Sequence, residues 1–140
     1  MSTPGCIIIP ILQMSNTTND SIKKKYDIHQ RIYDFIIEVI KIVNLLNKTS
    51  SNIVIINQIL RSVTSMGAND QEADGALTKK DFVHKLVLVR KEGKETIFWL
   101  SLIGDTNSSY IKTKVKPFLT EGNEIVAIVS SIINKTRDRK

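Results

Sequence analysis

The sequence has little cysteine, proline, glycine or aromatic side chain. Its 140 residues include one cysteine, Cys6, three prolines and six glycines. A single cysteine excludes an internal disulfide framework and a zinc site built from several cysteines. The low proline and glycine content excludes collagen-like and proline-rich disordered chains. With four Phe, three Tyr and one Trp, a surface that stacks many bases of a single-stranded nucleic acid is not expected.

Long apolar runs are also missing. The apolar run at residues 6–9 ends at Pro10 and resumes for only two residues, whereas a membrane span needs about 20 apolar residues. A secretory signal begins with basic residues, and the first basic residue here is Lys23. We therefore expect residues 1–22 to be a flexible leader and the protein to be cytoplasmic, with no membrane partner.

The length and the charge balance indicate one basic domain. Domains commonly contain about 100–150 residues, so 140 residues suggest a single one. Lysine and arginine number 20 against 14 aspartate and glutamate residues, which gives a net charge of +6. This modest excess favours an anionic partner but says nothing about the fold.

Four stretches carry apolar residues at every third or fourth position, a pattern that predicts amphipathic helices. They cover about residues 27–46, 51–73, 79–103 and 118–135. Ser51 and Thr78 are suitable N-caps for the second and third helices, and Gly104 stands where a C-terminal cap is expected. Residues 105–117, which include Pro117, are predicted to be a loose connection.

Short connections between successive helices indicate antiparallel neighbours. The sequence therefore predicts an all-α, up-down-up-down four-helix bundle over residues 23–136, followed by a basic tail at residues 137–140. The tail is equally compatible with a solvated chain end and with a contact to RNA.

The first and third helices carry apolar residues on more than one face. The third helix has a core face that includes Leu86, Val89 and Leu100. Apolar side chains away from the main stripes are Tyr33, Ile37 and Ile40 on the first helix and Val87, Phe98 and Leu102 on the third. A small isolated bundle should be polar there, so we interpret these residues as candidates for an interface between subunits. Scattered exposed apolar residues are the alternative interpretation.

Polar residues form a further stripe on each of the second and third helices. They are Arg61, Ser65, Asn69 and Glu72 on the second helix and Asp81, Lys85, Glu92, Glu95 and Trp99 on the third. Buried polar groups need hydrogen-bond partners, and Arg61 could pair with Glu92 or Glu95 between the helices. A structural hydrogen-bond network is favoured over a catalytic site.

The residues needed for catalysis do not occur at useful spacings. A carboxylate-bridged metal bundle needs Glu-x-x-His from two helices, and the sequence holds a single Asp-x-x-His that ends at His84. His29 has no obvious partner, Cys6 lies in the predicted leader, and no glycine-rich phosphate loop is present. We therefore expect no enzymatic activity, no metal and no cofactor.

Basic residues are candidates for contacts with phosphates. They are Lys79, Lys80, Arg90, Lys91 and Lys94 on the third helix and Lys112, Lys114 and Lys116 in the connection that follows it. Such contacts give salt-dependent binding with little sequence specificity. Ordinary solvated lysines are the alternative.

Several stretches taken together resemble one known family. They are residues 57–69, Glu72-Ala73, residues 80–86, Arg90-Lys91-Glu92, Glu95-Thr96 and Trp99-Leu100, with Tyr33-Asp34-Phe35 upstream. Over about residues 26–136, the chain resembles the bacterial four-helix-bundle family encoded in intervening sequences of large-subunit ribosomal RNA genes. Asn47, Asp70 and Thr78 depart from the family's usual residues, and none of them should disturb the fold.

The resemblance implies a homopentameric barrel of four-helix bundles and a link to RNA. One branch of the family serves as the accessory protein of diversity-generating retroelements, whose members bind nucleic acid and a reverse transcriptase. We therefore expect a non-enzymatic oligomer that binds RNA or an RNA/DNA hybrid, with a reverse transcriptase as a further partner if the chain belongs to that branch. The alternative is a protein-interaction scaffold without affinity for nucleic acid.

Overall fold

The computed structural model describes residues 27–139, which form four α-helices and no strand. The helices are α1 (Ile28–Val43), α2 (Ser50–Asp74), α3 (Lys79–Thr106) and α4 (Ser109–Asp138). The predicted all-α class and the number of helices are confirmed for this part of the chain. The predicted leader lies outside the described residues, as does the last residue of the predicted tail.

Each helix begins at a side chain that caps its first turn. Asp27, Thr49, Thr78 and Ser108 each accept a hydrogen bond from the backbone N–H three residues further on. Such caps satisfy amide groups that have no partner within the helix. Thr78 is the predicted cap of α3, but the prediction of Ser51 for the second helix is wrong, because Thr49 holds the capping position.

The fourth helix begins at Ser109 instead of near residue 118, so the predicted loose connection is mostly helical. Pro117 lies inside this helix, where proline costs about 3 kcal/mol. Ile111 and Val115 are buried one turn apart before it, and burying each such side chain stabilises the fold by about 1.5–3 kcal/mol. Packing of the first turns of α4 therefore outweighs the cost of Pro117.

Two predicted helix ends also differ from the structure. Gly104 is not a C-cap, since α3 continues through Thr106 and Asn107 follows it. An added Cβ at Gly104 would lie 3.6 Å from Val115 Cγ1, which shows how closely α4 passes this position. The first helix ends at Val43, and Leu46 is nevertheless buried in the turn beyond it.

The core lies between the four helices, because α1 and α3 each pack against both α2 and α4. The largest fully buried side chains include Phe35, Ile59, Met66, Leu100 and Ile125. In the first turn of α2, Ile53 is 46% exposed. The core-facing position in the first turn of α2 belongs instead to Asn52, which is buried.

Contacts between helices join early residues of one helix to late residues of another. His29 near the start of α1 contacts Asp70 near the end of α2. Asn52 and Asn107 exchange side-chain hydrogen bonds of 3.0 and 3.3 Å. The α1–α2 and α3–α4 connections lie at the same end of the helices as this asparagine pair. We call this end the amide end.

Candidate nucleic-acid interface

A buried arginine holds two carboxylates between α1 and α4. Arg31 donates to Glu121 from Nε at 3.1 Å and from Nη2 at 2.7 Å. Its Nη2 also donates to Glu124 at 2.9 Å. The hydrogen bonds that Arg31 donates to Glu121 are the main influence that raises the pKa of Arg31 above its ordinary value, although burial acts in the opposite direction. The guanidinium therefore stays charged and ties α1 to α4.

The predicted polar network is divided into separate groups. Arg61 pairs with Glu95 and lies 3.5 Å from Glu92, and Glu95 also accepts a 3.1 Å hydrogen bond from Trp99 Nε1. A second group joins Lys85 to Glu72 at 2.9 Å.

The remaining predicted network residues make local contacts. Asn69 Nδ2 donates to the backbone carbonyl of Ser65 at 2.9 Å within α2. Asp81 contributes its backbone N–H to the Thr78 cap. These three network residues therefore shape single helices, whereas the two ion-paired groups join α2 to α3.

The sequence pattern did not predict a histidine–aspartate pair. The carboxylate of Asp70 is 2% exposed, and both its oxygens lie 3.0 Å from His29 Nδ1. Asp74 lies 3.6 Å from the other ring nitrogen. The interpretation that His29 has no partner is therefore wrong. The available signal was Asp70 itself, since an acidic residue at an apolar position of a helix requires a partner.

Burial and charge shift the pKa values of this pair. Burial alone would lower the pKa of His29, but the hydrogen bond and charge of Asp70, with the charges of Asp74 and Asp27, raise it. Burial raises the pKa of the Asp70 carboxyl, and His29 opposes that shift. The protonated imidazole is thus the form that the folded protein stabilises.

Most carboxylates of residues 27–139 are engaged in ion pairs. In that range, only Asp27, Asp34, Asp81 and Asp138 have none. Many cations remain without an ion pair in the same range, and all but Lys48 lie on α3 or α4 or directly after α4. They are Lys79, Lys80, Arg90, Lys91, Lys94, Lys114, Lys116, Lys135, Arg137 and Arg139. We call these ten residues the basic surface.

The basic surface is elongated. Lys79 Nζ donates to the backbone carbonyl of Arg139, which places the end of the chain beside the start of α3. Residues 90–94 follow along α3, and a rise of 1.5 Å per residue puts Lys94 about 22 Å from Lys79 along the axis. Lys114 and Lys116 lie on the first turns of α4. The basic surface therefore extends along α3 and over both ends of α4 and is not one compact patch.

Lys112, Lys114 and Lys116 were predicted in a loop, but all three are helical. Lys112 is ion-paired with Asp105 at 3.0 Å, so this candidate has a partner within the protein. Lys114 Nζ lies 5.5 Å from the ring centroid of Tyr110.

The candidates for a subunit interface differ in exposure. Tyr33 and Phe98 are exposed, whereas Val87 and Leu102 are half-buried and pack against the core of their own chain. Ile37 and Ile40 on α1 are also half-buried. Phe98 contacts the ring of Trp99 edge-on, with centroids 4.9 Å apart.

The predicted interface and the predicted phosphate contacts overlap on α3. Lys91, Lys94 and Phe98 stand at positions i, i+3 and i+7, and residues at this spacing share one face of a helix. A partner that covers Phe98 therefore also approaches these two lysines.

Two further properties bear on the type of site. None of the helices that the structure describes is long and apolar enough to cross a bilayer. Within residues 27–139, no three imidazole, thiol or carboxylate groups converge as metal ligands would.

Comparisons with known proteins agree with the fold. A family model described as "23S rRNA-intervening sequence protein" matches residues 24–131. The chain is also similar to a crystal structure of a protein of unknown function from the S23 ribosomal protein family of Bacteroides thetaiotaomicron. That similarity has 33% identity and a TM-score of 0.68, and it covers 76% of this chain and 97% of the other. No curated protein matches the chain.

Proposed function

The chain belongs to the 23S rRNA-intervening sequence protein family, and from this premise we propose that it is a non-enzymatic oligomer that binds nucleic acid through its basic surface. The family resemblance seen in the sequence is thereby confirmed. RNA or an RNA/DNA hybrid is the proposed ligand. The proposed assembly is a homopentamer in which each subunit is an antiparallel bundle. The contacts between the start of one helix and the end of another support the antiparallel arrangement of the helices.

One observation supports nucleic-acid binding above the others. The carboxylates of residues 27–139 are mostly held by cations within the molecule, while the ten cations of the basic surface have no ion pair there. Unbalanced positive charge attracts polyanions over a distance of about a Debye length. Cations spread over an extended surface suit the regular phosphates of a nucleic-acid strand.

Binding to a structured RNA and to an RNA/DNA hybrid should be measured at about 50 and 200 mM salt. We expect affinity to fall steeply with salt, because phosphate contacts release counterions. Substituting Gln for both Lys91 and Lys94 should reduce the slope of log K against log salt by about 1 to 2.

The matched control substitutes Gln for Lys41 and Lys85, which removes the same charge. These two lysines are ion-paired with Glu38 and Glu72, so the salt slope should stay close to that of the unmodified protein. Absence of binding at about 50 mM salt, where phosphate contacts are strongest, would refute the proposal.

Oligomerisation is supported by the exposed rings of Tyr33 and Phe98 on two different helices. Exposed aromatic residues are enriched at protein interfaces. Light scattering should give the mass of a pentamer at micromolar concentration, and Phe98→Ala should lower it because the apolar surface of the ring is lost from the interface. A monomer in the unmodified protein would contradict the proposed assembly.

The same exposed rings support the second candidate function, a protein-interaction scaffold without affinity for nucleic acid. An oligomer that binds no RNA at low salt would favour this scaffold. The proposed association with a reverse transcriptase is tested separately, by a reverse transcriptase gene next to the gene for this chain and by co-purification of the two proteins.

A further inference from the structure

Tyr110 is an exposed ring at the amide end. It lies in the first turn of α4, and its side chain is 59% exposed. The Ser108 cap precedes it, and the buried side chain of Ile111 follows it. A tyrosine on a fixed helical turn offers a flat surface with few rotatable bonds, which limits the entropy lost on contact with a ligand.

The backbone before Tyr110 is tied to the core. Asn52 is buried and exchanges hydrogen bonds with Asn107, and its Nδ2 also donates to the carbonyl of Asn47 at 2.9 Å. One side chain thus links the start of α2 to both connections of the amide end. The ring of Tyr110 is therefore presented by a well-anchored segment.

Lys114 places positive charge beside this ring. It lies one turn further along α4 with Nζ 5.5 Å from the ring centroid, and it has no ion pair among the described residues. The nearest carboxylate along the chain, Asp105, is held by Lys112 at 3.0 Å. An aromatic ring beside a lysine without an ion pair has the composition of a contact for single-stranded nucleic acid.

We propose that Tyr110 stacks on one unpaired base of a single strand while Lys114 contacts its phosphate. This inference rests on the proposed function and specifies its ligand. Bases inside a duplex are already stacked on both faces, so they offer no surface to the ring, whereas the bases of loops and single strands do. Few aromatic residues rule out a platform for many bases, but a single stacked base needs only one ring.

The test compares a single-stranded RNA of 12 nucleotides with a blunt duplex of the same length, by fluorescence anisotropy at about 50 mM salt. The unmodified protein should bind the single strand more tightly. Stacking contributes about 1–3 kcal/mol per base, so Tyr110→Ala should weaken single-strand binding by roughly 5- to 150-fold. Its effect on the duplex should be less than about twofold, because the duplex does not use the ring.

Two control variants define the role of the ring. Tyr110→Phe keeps the aromatic surface and should bind the single strand like the unmodified protein. Leu77→Ala removes an apolar side chain that is 98% exposed in the α2–α3 connection, and it should change neither affinity. Circular dichroism should show unchanged helix content for all three variants, since both side chains are exposed.

The outcomes separate the two proposals. If neither RNA binds, the proposed function fails, and this inference fails with it. If both bind and Tyr110→Ala has no effect, or weakens both equally, the stacking contact is refuted while nucleic-acid binding stands. Loss of binding in Tyr110→Phe would also overturn stacking, since it would assign the contact to the hydroxyl group.

Discussion

Alanine substitutions at two buried helical glycines should change the stability of the protein in opposite directions. Alanine is favoured over glycine by about 1 kcal/mol in a helix interior. At Gly104, an added Cβ would have its nearest neighbour at 3.6 Å, an ordinary contact with Val115. Gly104→Ala should therefore raise the free energy of unfolding by about 0.5–1 kcal/mol.

At Gly122 the same change meets an occupied space. The added Cβ would lie 2.9 Å from Ile97 Cγ1 and 3.1 Å from Phe35 Cζ, and the Phe35 ring is fully buried. Forcing such a contact in a packed core costs about 1–3 kcal/mol, which exceeds the gain in helix propensity. Gly122→Ala should therefore lower the free energy of unfolding by about 1 kcal/mol.

The two variants should be compared by urea unfolding at one protein concentration, because any oligomer makes stability depend on concentration. A difference of about 2 kcal/mol between them is expected, with unchanged slopes against urea. In a thermal scan this corresponds to roughly 6–12 °C between their midpoints. Equal stabilisation by both substitutions would refute the packing of α1 and α3 against Gly122.

Two further perturbations concern the buried charges. Since the pKa of His29 is raised above 6.5 in the folded protein, its contribution to stability is complete below that pH and is lost as pH rises through the folded pKa. Urea unfolding at pH 6 and pH 8 should therefore show lower stability at pH 8, and Asp70→Asn should remove most of that difference. If Asp70→Asn showed the same difference in stability between pH 6 and pH 8, a group other than His29 would be responsible for it. Arg31→Lys should lower the free energy of unfolding by about 2 kcal/mol, because lysine cannot reproduce the paired hydrogen bonds to Glu121. Arg31→Ala should cost about 3–5 kcal/mol, because it leaves buried carboxylates without a cation, and equal losses for both variants would contradict this assignment.

The sequence predicted those features of the fold that depend on short stretches of chain. Helical periodicity identified the core face of α3, including Leu86, Val89 and Leu100, because burial of one helix face repeats every three or four residues. Thr78 was recognised as a cap because a cap acts on an amide three residues away. Pro117 led to a wrong starting residue for α4, because that prediction used only the local sequence. Its local cost is visible in the sequence, but the burial of Ile111 and Val115 depends on distant helices.

The candidate site was less predictable than the fold. The lysines and arginines of the basic surface were mostly identified, because groups of basic residues are visible in the sequence itself. The sequence did not show that these cations lack ion pairs, since that depends on which carboxylates pair with other cations in the folded protein. Arg31 and Glu121 are 90 residues apart in sequence, and His29 and Asp70 are 41 apart. Pairs at such separations require the relative placement of whole helices, which periodicity does not supply.

Because Phe98, Lys91 and Lys94 share one face, the proposed subunit assembly and the proposed nucleic-acid binding would be two equilibria at one surface. Burying Phe98 between subunits would bring lysines of neighbouring chains together, and their repulsion would oppose assembly. A polyanion that neutralises these lysines would remove that repulsion. By thermodynamic linkage, nucleic acid would then strengthen the assembly by the same factor by which the assembly strengthens nucleic-acid binding.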